Sequence, residues 1–175
     1  FNSKMISVLS VVHDTMVDGP GFRTSIYCAG CPNHCPECHN PQSWDINHGT
    51  MTSTEDLMKE IMDDPFANVT FSGGDPMFQA EGFAELAREI RRQSKKTIWC
   101  FTGYKFENLV KNPAQLELLK LIDVLVDGPF VKALADPDLF FRGSSNQRII
   151  HVKKSLEEGK VVELHLSADN PNPVL

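Results

Sequence analysis

Three cysteines at the spacing C-x-x-x-C-x-x-C, in Cys31-Pro-Asn-His-Cys35-Pro-Glu-Cys38, are the residues of this chain best suited to chemistry. Thiolates so close together on one short loop suit a cubane iron–sulfur cluster, whose irons are ligated by closely spaced cysteines. Three ligands for four irons leave one iron without a protein ligand. An open coordination position marks a reactive site, because a substrate can bind there; a closed four-ligand site serves structure or electron transfer. Two alternatives recruit Cys28. With it the chain holds two C-x-x-C pairs, as zinc sites do, but zinc pairs are usually separated by about a dozen residues or more, and these by only three. A four-cysteine ferredoxin-type cluster would also need Cys28, but such runs are spaced differently. Cys28 moreover falls inside a predicted strand, pointing into the sheet. The fifth cysteine, Cys100, lies in the apolar stretch Thr97 to Phe101 and reads as a small core residue.

The elements that must position this loop follow from hydrophobic periodicity. An apolar run with Val8, Val11 and Val12 precedes the turn Asp18-Gly19-Pro20-Gly21, and Phe22 to Cys28 reads as a strand entering the cysteine loop. Further strands are predicted at Asn68 to Ser72, Thr97 to Thr102, Val124 to Val126 and Gln147 to Val152, with Val161 to Leu166 a sixth strand or a loose edge. Helices are predicted at Thr52 to Met62, with Ser53 or Thr54 as N-cap, at Phe78 to Gln93, and around Leu116 to Lys120. Strands alternating with helices imply an α/β fold, a mainly parallel sheet with outer helices. Four to six strands cannot close an eight-fold barrel, so the expected architecture is an open, partial β/α barrel. Its ligands should gather at the carboxyl ends of the strands. Cys31, Gly73-Gly74, Thr102-Gly103 and Asp127-Gly128 all lie just past predicted strand ends.

Composition bounds the rest. The 175 residues are 41% hydrophobic and 23% charged, which excludes disorder and suits one globular domain, placed at residues 5–166. Residues 167–175 read as a flexible tail, and Phe1 to Lys4 as extra residues ahead of a natural start at Met5. No apolar run approaches a membrane span and no signal peptide is recognisable, so a cytoplasmic location is expected. A net charge of −6 without a long basic run argues against nucleic acid as a partner.

The cysteine spacing resembles the radical S-adenosylmethionine superfamily. Asp18-Gly-Pro-Gly-Phe-Arg23 and the stretch Gly30 to Pro41 are similar to its glycyl-radical-enzyme activating branch. Further matches are Phe71-Ser-Gly-Gly-Asp-Pro-Met77, Trp99-Cys-Phe-Thr-Gly-Tyr-Lys105, Asp123 to Phe130 and Arg142-Gly-Ser-Ser-Asn-Gln147, so the resemblance spans roughly residues 5 to 155. It implies a 4Fe-4S cluster on Cys31, Cys35 and Cys38, with S-adenosylmethionine chelating the fourth iron. It also implies reductive cleavage to a 5′-deoxyadenosyl radical, which takes hydrogen from a glycine of a partner. The implied partner is the large subunit of anaerobic ribonucleoside-triphosphate reductase, with a flavodoxin- or ferredoxin-type electron donor.

By the same resemblance the loop Ser72, Gly73, Gly74 and Asp75 contacts the amino group of S-adenosylmethionine. The superfamily more often has Glu at Asp75, which leaves open whether Asp75 or the loop backbone makes that contact. His39 is placed near the adenine, and Thr102 and Gly103 along the ribose or methionine. Asp127 contacts ligand or a cation, or else caps a turn. Arg23 pairs with carboxylates at the site, or else is a surface charge. Arg142 to Gln147 is expected to face a partner or close the site. No side chain is assigned as catalytic, since the cofactors carry the radical chemistry. The rival readings are an activase of another glycyl radical enzyme, such as pyruvate formate-lyase, and a non-catalytic iron–sulfur or zinc module.

Overall fold

The computed structural model describes residues 4–30, 49–139 and 141–166. The strands are β1 (Met5–Thr15), β2 (Arg23–Cys28), β3 (Thr50–Ser53), β4 (Asn68–Gly73), β5 (Ile98–Phe101), β6 (Val124–Asp127) and β7 (Arg148–His151). The helices are α1 (Thr54–Asp63), α2 (Ala80–Gln93), α3 (Phe106–Leu109), α4 (Pro113–Leu119) and α5 (Val152–Glu158). One seven-stranded sheet runs in the order β3-β1-β2-β4-β5-β6-β7. The four middle strands pair in parallel, while β1 and β7 run against them. The fold is thus mixed α/β with a mostly parallel sheet. Its ends, β3 and β7, are not paired to each other.

Alternation along the central strands sorts side chains onto two faces. Ile26, Cys28, Val69, Phe71, Ile98, Cys100 and Leu125 point toward the helices, where α1, α2 and α4 supply Leu57, Ile61, Phe83, Leu86, Ile90, Leu118 and Leu119. The apolar stripe Phe83, Leu86, Ala87 and Ile90 of α2 is buried, and Ser53 caps α1 by accepting from the Asp56 N–H. The other face carries a smaller apolar cluster of Trp99, Val124, Val126 and Ile149, covered by Phe101, Phe141, Leu164 and Leu166.

Several expectations need correction. The apolar run around Val8 belongs to an eleven-residue strand, whose pairing with β2 shifts register twice. Those irregularities break the apolar alternation that would have announced it. Thr52 and Ser53 lie in the short strand β3 and not in the first helix. The second helix opens with a 3₁₀ turn, Pro76–Gln79. Val152 begins α5, which ends on Gly159 in the left-handed conformation. Residues 161–166 are a loose edge with a single bridge, Glu163 to Ile150.

Arg23 fits neither expectation for it. The side chain is 1% exposed at the amino end of β2, remote from the carboxyl-end loops, and its guanidinium serves backbone carbonyls and threonine hydroxyls. Nε donates to Thr70 Oγ1 (2.8 Å), Nη1 to Pro20 O (3.1 Å), and Nη2 to Val69 O (2.7 Å) and Thr97 O (3.0 Å). The guanidinium also lies over the Trp99 ring, 5.8 Å from its centroid. Burial lowers its pKa to about 10, so the cation persists at neutral pH. A lysine cannot reproduce this planar fork. Arg23→Lys should therefore destabilise the chain by about 2 kcal/mol, a fall in Tm of roughly 4–8 °C. Thermal unfolding checks this; an unchanged Tm would contradict a structural role.

Candidate functional site

Because β2, β4, β5 and β6 are parallel, the four loops singled out from the sequence emerge at one end of the sheet. β2 ends at Cys28, β4 at Gly73, β5 at Phe101 and β6 at Asp127. Cys31, Cys35, Cys38 and His39 lie outside the described residues, but the chain leading to them does not. Ala29 donates to Ser7 O (3.0 Å), and Gly30, at φ +91°, turns the backbone out of the sheet. The β4 loop locks onto this exit: Gly74 N–H donates to Cys28 O (2.7 Å) and Asp75 N–H to Gly30 O (2.8 Å).

Gly73 makes that approach possible. It sits at φ +99°, and a Cβ there would lie 2.4 Å from Cys28 N and 2.6 Å from Cys28 O. Any side chain would push the two strand ends apart, so Gly73 is required for the fold itself. Ser72, alternating with the buried Phe71, has its side chain on the face opposite the helices.

Asp75 is completely buried. Its Oδ1 accepts from the Met77 N–H (3.0 Å) and the Thr102 hydroxyl (2.7 Å), and its Oδ2 from the Gly103 N–H (2.9 Å). The carboxylate is thereby bonded to donors of its own chain and bolts the β4 loop to the β5 loop. Burial outweighs these bonds and raises its pKa to about 6. Thr102 is as fully engaged: its hydroxyl also accepts from Tyr104 N–H (3.1 Å), and its own N–H donates to Val126 O (2.9 Å).

The β6 loop is braced in the same way. Asp127 accepts from Phe106 N–H (2.8 Å), capping α3, and pairs with Arg148 through Nε (2.9 Å) and Nη2 (2.5 Å). The cap is on a helix 21 residues back and not on the local turn expected from the sequence. Arg148 reaches Glu107 as well (2.6 Å), and these two carboxylates raise its pKa. Arg142 to Gln147 folds back on the same end, with Gln147 Nε2 donating to Gly128 O (3.0 Å) and Asn146 Nδ2 to Pro129 O (2.8 Å). Cys28 and Cys100 are buried and part of the helix-facing core. Burial holds Cys100 as a neutral thiol.

On the face away from the helices, Asp18 folds over the sheet. Its carboxylate accepts from Ser25 Oγ (3.0 Å) and from the Tyr27 hydroxyl, and its carbonyl from Thr70 Oγ1 (2.7 Å). Burial and this carboxylate keep the Tyr27 phenol protonated.

A family profile described as "4Fe-4S single cluster domain" matches residues 17–150. An anaerobic ribonucleoside-triphosphate reductase-activating protein of Escherichia coli is 38% identical over 146 residues, covering 79% of this chain and 94% of that relative. The chain belongs to the anaerobic ribonucleoside-triphosphate reductase-activating protein family. A member from Enterobacteria phage T4 is 36% identical over 139 residues, 76% of this chain and 86% of the phage protein. Another, from Haemophilus influenzae, is 35% identical over 144 residues, 78% of this chain and 91% of that protein. Among the described residues, no helix is long and apolar enough to cross a membrane.

Reading the sequence missed two members of this end of the fold, Arg148 and Gln79. Arg148 carried a weak signal, a lone cation at the start of an apolar strand. Gln79 carried none. The raised pKa of Asp75 sets a test of its burial. A folded-state pKa above the unfolded one adds stability at low pH, which is lost as pH rises through about 6. Asp75→Asn lacks this titration, so the advantage of the native chain over it should shrink from about pH 4.5 to 6.5, by roughly 1 kcal/mol per pH unit. Chemical denaturation of both metal-free chains across that range checks it; parallel pH profiles would contradict it.

Proposed function

We propose that this chain is the activating enzyme of an anaerobic ribonucleoside-triphosphate reductase, using a 4Fe-4S cluster on Cys31, Cys35 and Cys38. Its identity to relatives of that name, over most of its length, is the observation that carries the reading. The donor set fits the cluster: three thiolates follow the end of β2 closely, while the other two cysteines are enclosed in the core. In this reading the open sheet is a partial barrel of the radical S-adenosylmethionine type. Held by Cys31, Cys35 and Cys38, such a cluster would supply the single electron for reductive cleavage of a carbon–sulfur bond of S-adenosylmethionine, which would leave methionine and a 5′-deoxyadenosyl radical able to take a hydrogen atom from a partner glycine.

The protein's own residues bind and orient. Backbone carbonyls of Ser72–Gly74, rather than the carboxylate of Asp75, receive the amino group of S-adenosylmethionine, since Asp75 already has donors of its own. Thr102 and Gly103 flank the ribose or methionine through their backbone, and His39 packs near the adenine. The helix-free face admits a glycine-bearing loop of the reductase, and a reduced flavodoxin or ferredoxin is the class of electron donor. The setting is the cytoplasm.

Cys31→Ala, Cys35→Ala and Cys38→Ala should each abolish the cluster on anaerobic reconstitution, whereas Cys28→Ala and Cys100→Ala should retain it; iron and sulfide content are the readout. With S-adenosylmethionine, a one-electron reductant and the reductase, a glycine-centred radical should appear by electron paramagnetic resonance. Pyruvate formate-lyase in place of the reductase should give little or none. Equal activation of both would widen the reading to glycyl radical enzymes in general.

A further inference from the structure

We propose that Gln79 is a positioning residue for the cysteine loop: its side-chain amide holds the root of that loop against β1. The inference rests on the reading that Cys31, Cys35 and Cys38 bind an iron–sulfur cluster. Four hydrogen bonds fix the root. Ala29 N–H to Ser7 O, Gly74 N–H to Cys28 O and Asp75 N–H to Gly30 O join backbone to backbone. The fourth is donated by Gln79 Nε2 to Ala29 O at 2.9 Å.

The same amide clasps β1. Ser7 N–H donates to Gln79 Oε1 (2.8 Å), and Gln79 Nε2 donates to Ser7 O (3.0 Å). A primary amide offers one acceptor and two donors, and all are matched here to backbone groups. The bond to Ala29 O matters most, because that oxygen shares a peptide plane with the Gly30 nitrogen. Gly30 stands at φ +91° immediately before Cys31. Ala29 is fully buried, so fixing its carbonyl fixes the plane from which the ligand loop departs. Gln79 closes the 3₁₀ turn that Asp75 opens. One turn therefore ties the β5 loop at one end, through the Asp75 carboxylate, and the cysteine loop at the other.

Partners beyond the ligands themselves typically change metal affinity by about 10–100-fold. The test uses the full chain, reconstituted anaerobically, as native protein, Gln79→Met and Gln79→Asn. Gln115→Met is the control: Gln115 Nε2 also donates to this turn, at Met77 O (3.1 Å), but does not touch the loop root. Iron release to excess chelator should be at least about 10-fold faster in Gln79→Met than in native protein or Gln115→Met. In the metal-free chains, exchange of the Ala29 and Gly30 amide hydrogens should also be faster in Gln79→Met, with unfolding temperatures within a few degrees. If Gln79→Met does not fold, Gln79→Asn, whose amide is one methylene too short to reach both strands, decides by the same measurements. Native iron release in a folded Gln79 variant would overturn the proposal. If native protein takes up no cluster, the iron–sulfur reading fails, and the exchange rates alone decide whether Gln79 holds the root.

Discussion

A carboxylate sealed from water must collect its hydrogen bonds from the chain around it, and Asp75 collects them from two loops at once. Met77 lies on its own turn, and Thr102 and Gly103 lie beyond the next strand. This bond set, with the approach of Gly73 to the Cys28 backbone, makes one rigid edge out of segments that parallel pairing alone would only bring near. The strand ends supply direction; the buried carboxylate supplies the spacing between them. Asp127 repeats the device one strand further on, with Arg148 as its counter-ion.

The two faces of the sheet are built differently, and the difference suits the reading of the site. Toward the helices the packing is mainly apolar, with Glu85 of α2 accepting from the Thr54 hydroxyl of α1. On the other face, polar groups around Asp18, Ser25, Tyr27 and Thr70 lie beside the aromatic cluster of Trp99, Phe101 and Phe141. Trp99 and Phe141 meet edge to face, their centroids 5.4 Å apart, which fills part of that face with side chains.

Much of this was legible in the sequence, wherever a short-range signal existed. β2, β4, β5 and β6 showed as apolar runs ended by glycine or a polar pair, and α2 as a clean helical stripe. Four loops at one end then followed from parallel topology alone. β1 was obscured because its register shifts spoil the alternation, and β3 because four residues, none of them buried, carry too little pattern. Roles set by distant partners were out of reach. Arg23 looked like a charge beside a turn because its acceptors other than Pro20 O lie 46 to 74 residues away, and Gln79 meets Ser7 across 72. Whether Asp75 faced ligand or protein could not be read from Ser-Gly-Gly-Asp-Pro, since the answer lies in Thr102.

β2 begins at Arg23, the hub of the amino-end bonds, and finishes at Cys28, from which the cysteine loop departs. At about 3.3 Å per residue the two ends are roughly 17 Å apart. Over most of the sheet, then, sequence can drift at the amino ends without disturbing the loops, so durability and chemistry can evolve separately. β2 is an exception, and so is β4, which carries Val69 and Thr70 to Arg23 and ends at Gly73. These two short rods join both ends, and they should be the slowest parts of the fold to change over evolutionary time.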